Sequence, residues 1–406
     1  MTTQTIQPTD ELLVAAQVKA AEQSKAASRL LYIDNTRTFL TALVLVHHIM
    51  IIYAGSGSWI YTEGRQDLAT EVIGSIFCAV NQAFFMGLFL LISAYFIPGA
   101  YDRKGPARFW KDRWLRLGIP LLVYSWLVHP LFVYWYLGVT ESLRVPIEVF
   151  YRQYFDYGNL IGAGPLWFIE TLLIFTLAYS IWRLFTSRNP GVPQAVQPSV
   201  ESGFPSNRAL VLFALGMGLA GFVVRLKFPV NWNFQFLNLQ FPNFAQYILM
   251  FMAGLLAYRS GWLANMPEAA GRFWLRMAGI TLLLYVPGAL LGGALESDQP
   301  FLGGWHWQSL YFSLWEAFLC VGLCLGVLYL FRRYANRQSG LSAYLSRSAY
   351  AAYIVQAPVI TAIALLARDL PYHPLLKFVL VALIVVPLCF AVGGLLRRLP
   401  LAARVL

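Results

Sequence analysis

Charge is what this sequence has least of. Only 12% of its 406 residues are Asp, Glu, Lys or Arg, whereas 58% are hydrophobic and 16% aromatic. A soluble globular domain carries about 25% charged residues. Together with a mean hydropathy of +0.59, that scarcity excludes a soluble enzyme and specifies a polytopic membrane protein. Cysteine is scarce as well. Cys78, Cys320, Cys324 and Cys389 all fall inside apolar runs, which reads as buried thiols and excludes a disulfide framework. No polar stretch is long enough to bury a core of its own, so no appended soluble domain is expected. No cleavable signal peptide precedes the first apolar run, and the hydropathy shows no inverted repeat of the kind that marks many secondary transporters. Acidic residues number 19 against 30 basic ones, for a formal charge of +11. That excess does not point to nucleic acid: no binding motif and no extended aromatic-plus-basic stripe is present. The cations sit in short clusters between apolar runs, as membrane orientation requires.

What is present is a succession of ten apolar segments, near 36–55, 73–97, 117–137, 164–186, 209–226, 243–261, 275–294, 305–331, 346–367 and 374–396. About 20 apolar residues span a bilayer as a helix. If the N-terminus is cytoplasmic, the cation clusters at 103–116, 183–208, 259–276, 332–347 and 397–404 all fall on the inside. Only Arg65, Arg144, Arg152, Arg225, Lys227, Arg368 and Lys377 then lie outside. Losing or adding one helix would scramble this alternation. The expected fold is therefore all-α: a polytopic membrane protein with about ten transmembrane helices and both termini cytoplasmic. Residues 1–31 read as a cytoplasmic polar tail with a short surface helix, and 32–400 as one transmembrane domain. The Pro- and Ser-rich stretch 187–207 reads as a flexible loop.

Within the first apolar run, Arg37 and His48 stand ten intervening residues apart. Eleven steps of about 100° close to within about 20° of three turns, so both share one helix face about 16 Å apart along the axis. Arg37 is thereby expected at the cytoplasmic surface and His48 near the middle of the hydrocarbon. An ionisable residue inside a membrane is costly and is a functional hypothesis by default. Desolvation disfavours the imidazolium, and a neutral imidazole can take the proton of a hydroxyl as a general base. Taken alone, a buried histidine more often bridges two helices by hydrogen bonding. His47, about 100° round the helix, reads as such a structural residue. Asp34 and Arg37, at i and i+3, can pair. Asp34 is about 21 Å from His48 along the axis and cannot orient its ring. An orienting carboxylate must come from another helix, and Glu316 and Glu170 are the candidates. Glu316 is expected to match the depth of His48 better. For either, the plain alternative is a carboxylate satisfied by neighbouring Trp and Tyr donors.

Residues 101–120 (YDRKGPARFWKDRWLRLGIP) add six cations interleaved with Phe109, Trp110 and Trp114. Arg113 and Arg116 lie i, i+3 on one face. Such a segment can hold phosphates through charge-assisted hydrogen bonds while an aromatic ring stacks a base. Orientation and anionic-lipid contact would also explain it.

These residues together resemble the acyltransferase-3 family of integral-membrane acyltransferases, over nearly the whole chain after the tail. Asp34-x-x-Arg37 with its ten-residue gap to His48 looks like the family's first-helix signature. GLFLLISAYF at 87–96 is similar to its Phe-rich segment, and FWKDRWLRLGIP to its following Arg-rich loop, which places Arg113, Arg116 and Pro120 on that motif. GPLWF at 164–168 and SAYAAYIVQAPV at 348–359 resemble later motifs. Ala94 replaces a common Gly. Gln356 stands where a histidine is common, so no role for that second histidine is expected to carry over. The resemblance implies transfer of an acyl group, acetyl or succinyl, from cytoplasmic acyl-CoA to a hydroxyl of a carbohydrate or lipid-linked glycan. It implies no metal cofactor, no nucleic-acid partner and a multi-pass place in the cytoplasmic (inner) membrane. His48 would be the base, with Glu316 or Glu170 stabilising its imidazolium, and Arg37, Arg113 and Arg116 would hold the CoA phosphates. A covalent acyl-imidazole stays open. The rival class is a proton-coupled transporter or flippase in which His48, Glu170 and Glu316 form a relay.

Overall fold

The computed structural model describes residues 30–64, 67–141, 144–156, 164–186, 203–234 and 236–405. The surface helix expected in the N-terminal tail and most of the 187–207 loop lie outside these residues. Among the described residues, ten helices are long and apolar enough to cross a membrane, as expected. They are α1 (Leu31–Tyr53), α2 (Leu68–Tyr95), α3 (Ile97–Thr140), α4 (Gly164–Thr186), α5 (Asn207–Arg225), α6 (Phe241–Arg259), α7 (Glu268–Leu291), α8 (Trp307–Tyr334), α9 (Gly340–Leu366) and α10 (Pro374–Leu396). The main hydrophobic core draws on α1, α2, α4, α6 and α8, and a second cluster joins α1 to α9 and α10. The central helix α8 packs on α7, α5, α2 and α1, while α9 pairs with α10 and α1. Large apolar side chains such as Leu283, Leu291 and Leu383 stay exposed on the bundle's outer faces, as a lipid-facing surface requires. All four cysteines are buried.

The third span departs from the expected limits. The Arg-rich stretch expected as a loop is helical, and α3 is one helix from Ile97 to Thr140 with a break at Gly105, whose φ of +71° only glycine adopts without strain. Pro106 follows directly, where its missing N–H costs least at a fresh helix start. Lys, Arg and Leu are good helix formers, and the helix continues through Pro120 and Pro130. Two π-helical turns, Trp114–Gly118 and Tyr124–Val128, interrupt the regular spiral. The first carries Arg116. Such π-bulges occur frequently at functional sites.

The base of α1 is fastened to the rest of the bundle by polar contacts at one end, here termed the Arg37 end. The Tyr32 hydroxyl donates to the Leu263 carbonyl at 2.7 Å, and Asn35 Nδ2 donates to the carbonyls of Ala335 (2.6 Å) and Arg337 (2.9 Å). At the far end, residues 54–67 connect α1 to α2. Glu63 closes an ion pair with Lys377 at 2.8 Å, and the Lys377 ammonium also donates to the Arg368 carbonyl. Asp67 caps α2, accepting from both the amide and the hydroxyl of Thr70. Those bonds hold its carboxyl below its ordinary range. The cap is thus intact above the unfolded carboxyl's pKa and is lost only as pH falls through the lower folded value.

Candidate active site

Helix α1 places His48 about 25 Å along the axis from Leu31 and about 8 Å from Tyr53, where the helix ends. His48 therefore lies nearer the end of α1 opposite Arg37. Its Nδ1 lies 2.9 Å from Gln356 Oε1 on α9. The orientation of that amide follows from its other bond. Gln356 Nε2 donates to the Tyr353 carbonyl at 3.0 Å, and a carbonyl oxygen can only accept. The amide oxygen therefore faces Nδ1 and accepts its proton. The neutral ring then carries hydrogen on Nδ1 and leaves Nε2 with a bare lone pair. On its face, the imidazole stacks against Trp59 of the 54–67 connection, with centroids 4.5 Å apart and planes 29° from parallel. His47 turns away and rests against Phe85 at 5.0 Å.

Neither expected carboxylate is hydrogen-bonded to His48. Glu316 instead pairs with Arg225 of α5: Oε2 to Nη1 is 2.5 Å, and both side chains are buried. Arg225 also donates to Ser313 (3.2 Å) and Asn243 (3.3 Å). Phe39 of α1 meets Phe331 of α8, with ring centroids 5.3 Å apart. Counting an equal distance from that contact, His48 lies level with Gly322, and Glu316 is about 9 Å further toward the far end. Glu170 is buried in α4, and its Oε2 has no hydrogen-bond partner among the described residues.

The three arginines do converge. Arg113 feels the charges of both Arg116 and Arg37, although α1 and α3 are remote in sequence. Asp34 acts on Arg37 and Asp112 on Arg113. Among the described residues, however, none of the three guanidiniums closes an ion pair. Arg37 and Arg116 are exposed, Arg113 is half-buried over the Phe109 ring at 5.0 Å. Two carboxylates against three guanidiniums leave an excess of positive charge there, which attracts an anion.

One face of α9 links this cluster to His48. Tyr350 donates to the Arg116 carbonyl at 2.7 Å, Tyr353 donates to the Pro165 carbonyl, and Gln356 holds the imidazole. Their i, i+3, i+6 spacing puts all three on one stripe. Sequence reasoning set Gln356 aside because it replaces a histidine, whereas its position is central: the neutral amide supplies the acceptor that fixes the ring. Tyr350 lies within the 348–359 motif without being singled out by it, and Trp59 and Arg225 give no signal beyond an aromatic and a basic residue near helix ends. Among the described residues, no cluster of His, Cys, Asp and Glu able to hold a metal ion is present.

If the amide sets the tautomer, Gln356→Leu should lower kcat about tenfold through the lost hydrogen bond, with KM for the donor little changed. An unchanged kcat in this variant would show that the amide does not organise His48.

Comparison with known proteins gives a consistent match. A family model described as "Acyltransferase domain" matches residues 30–394. Glucans biosynthesis protein C from Salmonella paratyphi A, Salmonella agona and Salmonella enteritidis PT4 is 25% identical to this chain in each case. Each match runs over 341 residues, 83% of this chain and 83% of the relative. No solved structure matches.

Proposed function

Because the chain belongs to the acyltransferase-3 family of integral-membrane acyltransferases, we propose that it moves an acetyl or succinyl group from acyl-CoA to a hydroxyl of a carbohydrate or glycan. The clustering of cations at the Arg37 end supports placing that end, and both termini, in the cytoplasm of a bacterial inner membrane. The glycan acceptor rests on the relatives, whose name refers to glucan biosynthesis.

The observation that carries the reading is that α1 joins a cluster of three arginines with a net positive charge, Arg37 with Arg113 and Arg116 of α3, to a histidine whose Nε2 is bare. In the proposed reaction, Arg37, Arg113 and Arg116 hold the phosphates of acyl-CoA by charge-assisted hydrogen bonds. The thioester then lies along α1 toward His48, and the acceptor arrives from the far end. His48 Nε2 takes the hydroxyl proton as the oxygen attacks the thioester carbonyl. The carbon–sulfur bond breaks, and the CoA thiolate leaves with the proton returned from the imidazolium. Glu316, committed to Arg225, serves the framework of α5 and α8. Glu170 is buried in α4, away from any hydrogen bond to His48 among the described residues.

Purified protein incubated with labelled acetyl-CoA and an oligosaccharide tests this reading. Label is expected in the carbohydrate. Proton-coupled solute flux without consumption of acetyl-CoA would instead establish the transporter reading. Separately, Arg37→Ala or Arg113→Ala should raise KM for acyl-CoA by about 10- to 100-fold, the value of a hydrogen bond to a charged group, with a smaller change in kcat. Saturation kinetics on reconstituted protein would show it, and an unchanged KM in both variants would remove the donor site from this cluster.

A further inference from the structure

The proposed reaction makes an imidazolium at His48, and among the described residues no carboxylate is hydrogen-bonded to it. Gln356 is neutral, Glu316 is engaged with Arg225, and Glu170 is not bonded to the ring. From its own helix His47 lies edge-on to the ring, with centroids 5.7 Å apart, and would only oppose a second charge. The nearby Glu63 carboxylate is already closed on Lys377. What does lie against the imidazole is the face of Trp59.

We infer that Trp59 is the electrostatic partner of His48, its indole face stabilising the imidazolium formed as the acceptor hydroxyl is deprotonated. This inference rests on the proposed acyl transfer and names how its charged intermediate state is supported. The indole has the strongest negative face of the aromatic side chains, and a cation within about 6 Å of the ring centroid is attracted to it, most strongly where water is excluded. The stack is held for that purpose from both sides. Trp59 Nε1 donates to Thr361 Oγ1 on α9 at 3.2 Å, five residues along the same helix from Gln356. The connection that carries Trp59 is itself fastened, because Glu63 N donates to the Ile52 carbonyl and its carboxylate takes Lys377. One helix thus fixes both the edge of the imidazole, through Gln356, and the plane above it, through Trp59. A face-on stack also leaves the ring edge, and with it Nε2, free for the acceptor. The interaction strengthens only when the ring gains charge, so it favours the transition state over the resting enzyme.

The test is a series in which Trp59 is replaced, by site-specific incorporation, with mono-, di-, tri- and tetrafluorotryptophan. Fluorine removes negative charge from the ring face while leaving its shape nearly unchanged. The kcat for acetyl transfer is expected to fall stepwise with each fluorine. Trp59→Phe should fall part of the way, and Trp59→Leu by about 30-fold, the value of a desolvated cation–π contact. A flat fluorine series with a slow Leu variant would overturn the inference and leave Trp59 as packing. A series that raises KM for the acceptor at constant kcat would overturn it in favour of a sugar-stacking platform. The unsubstituted protein provides the control. If it shows no His48-dependent transfer, acyl transfer itself fails. If it does and the series is flat, only the role of Trp59 fails.

Discussion

Replacing His48 with Gln should lower acyl transfer by about 10²–10⁴-fold, the contribution of a positioned general base, while the protein still inserts and keeps its thermal stability. Gln fills much of the same volume and can still bond Gln356, so the variant removes the lone pair of Nε2 with little change in packing. KM for the donor should stay nearly constant, since Arg37 is about 16 Å away along α1. Among the described residues no carboxylate is hydrogen-bonded to His48, and the acceptor at its Nδ1 is an amide oxygen oriented in turn by a backbone carbonyl. Rates of transfer measured at saturating acyl-CoA would decide the matter. Activity within threefold of the unsubstituted protein would remove His48 from the chemistry.

The second large effect is on stability. Arg225 and Glu316 have side-chain exposures of 3% and 9% and meet at 2.5 Å. Taking one away leaves the other charge buried with only neutral partners, a loss of about 3–5 kcal/mol in buried pairs of this kind. Glu316→Ala should therefore yield little folded protein, with a markedly lower melting temperature in detergent. Such a variant would look inactive, and that inactivity would say nothing about catalysis. The double variant Arg225→Met, Glu316→Leu separates the two roles. Replacing a buried pair by apolar residues of similar size is often neutral or stabilising, so it should recover folding and most transfer per folded molecule. A well-folded but inactive double variant would place Glu316 in the reaction after all.

The contrast between these two residues shows what was legible in the sequence. The ten spans could be read because hydrophobic length and cation placement are properties of each segment by itself. The shared face of Arg37 and His48 could be read for the same reason, since both lie on one helix. The convergence of Arg37 with Arg113 and Arg116 was accessible as a motif, though not as geometry. The partners of buried polar groups were not accessible. Glu316 and His48 were matched by depth along helices of assumed limits. Counted from the Phe39–Phe331 contact, Glu316 lies about 9 Å from the level of His48, and spacing within one segment gives no sign of its partner Arg225 at the far end of α5. Gln356 was discounted as a departure from a histidine, although an amide oxygen serves a neutral imidazole as an acceptor. Trp59 lies in a connection between spans, where an aromatic residue ordinarily reads as an interfacial anchor. Each omission concerns contacts between segments, which hydropathy and spacing within one segment do not encode.

The central claim is that resting His48 is neutral, protonated on Nδ1 and bare on Nε2. The direct measurement is ¹⁵N NMR of the reconstituted protein with labelled histidine, the His48 signals being identified by their loss in His48→Gln. A pyrrole-type shift at Nδ1 and a pyridine-type shift at Nε2 at neutral pH are the expected result. A proton on Nε2, or on both nitrogens, would contradict the account.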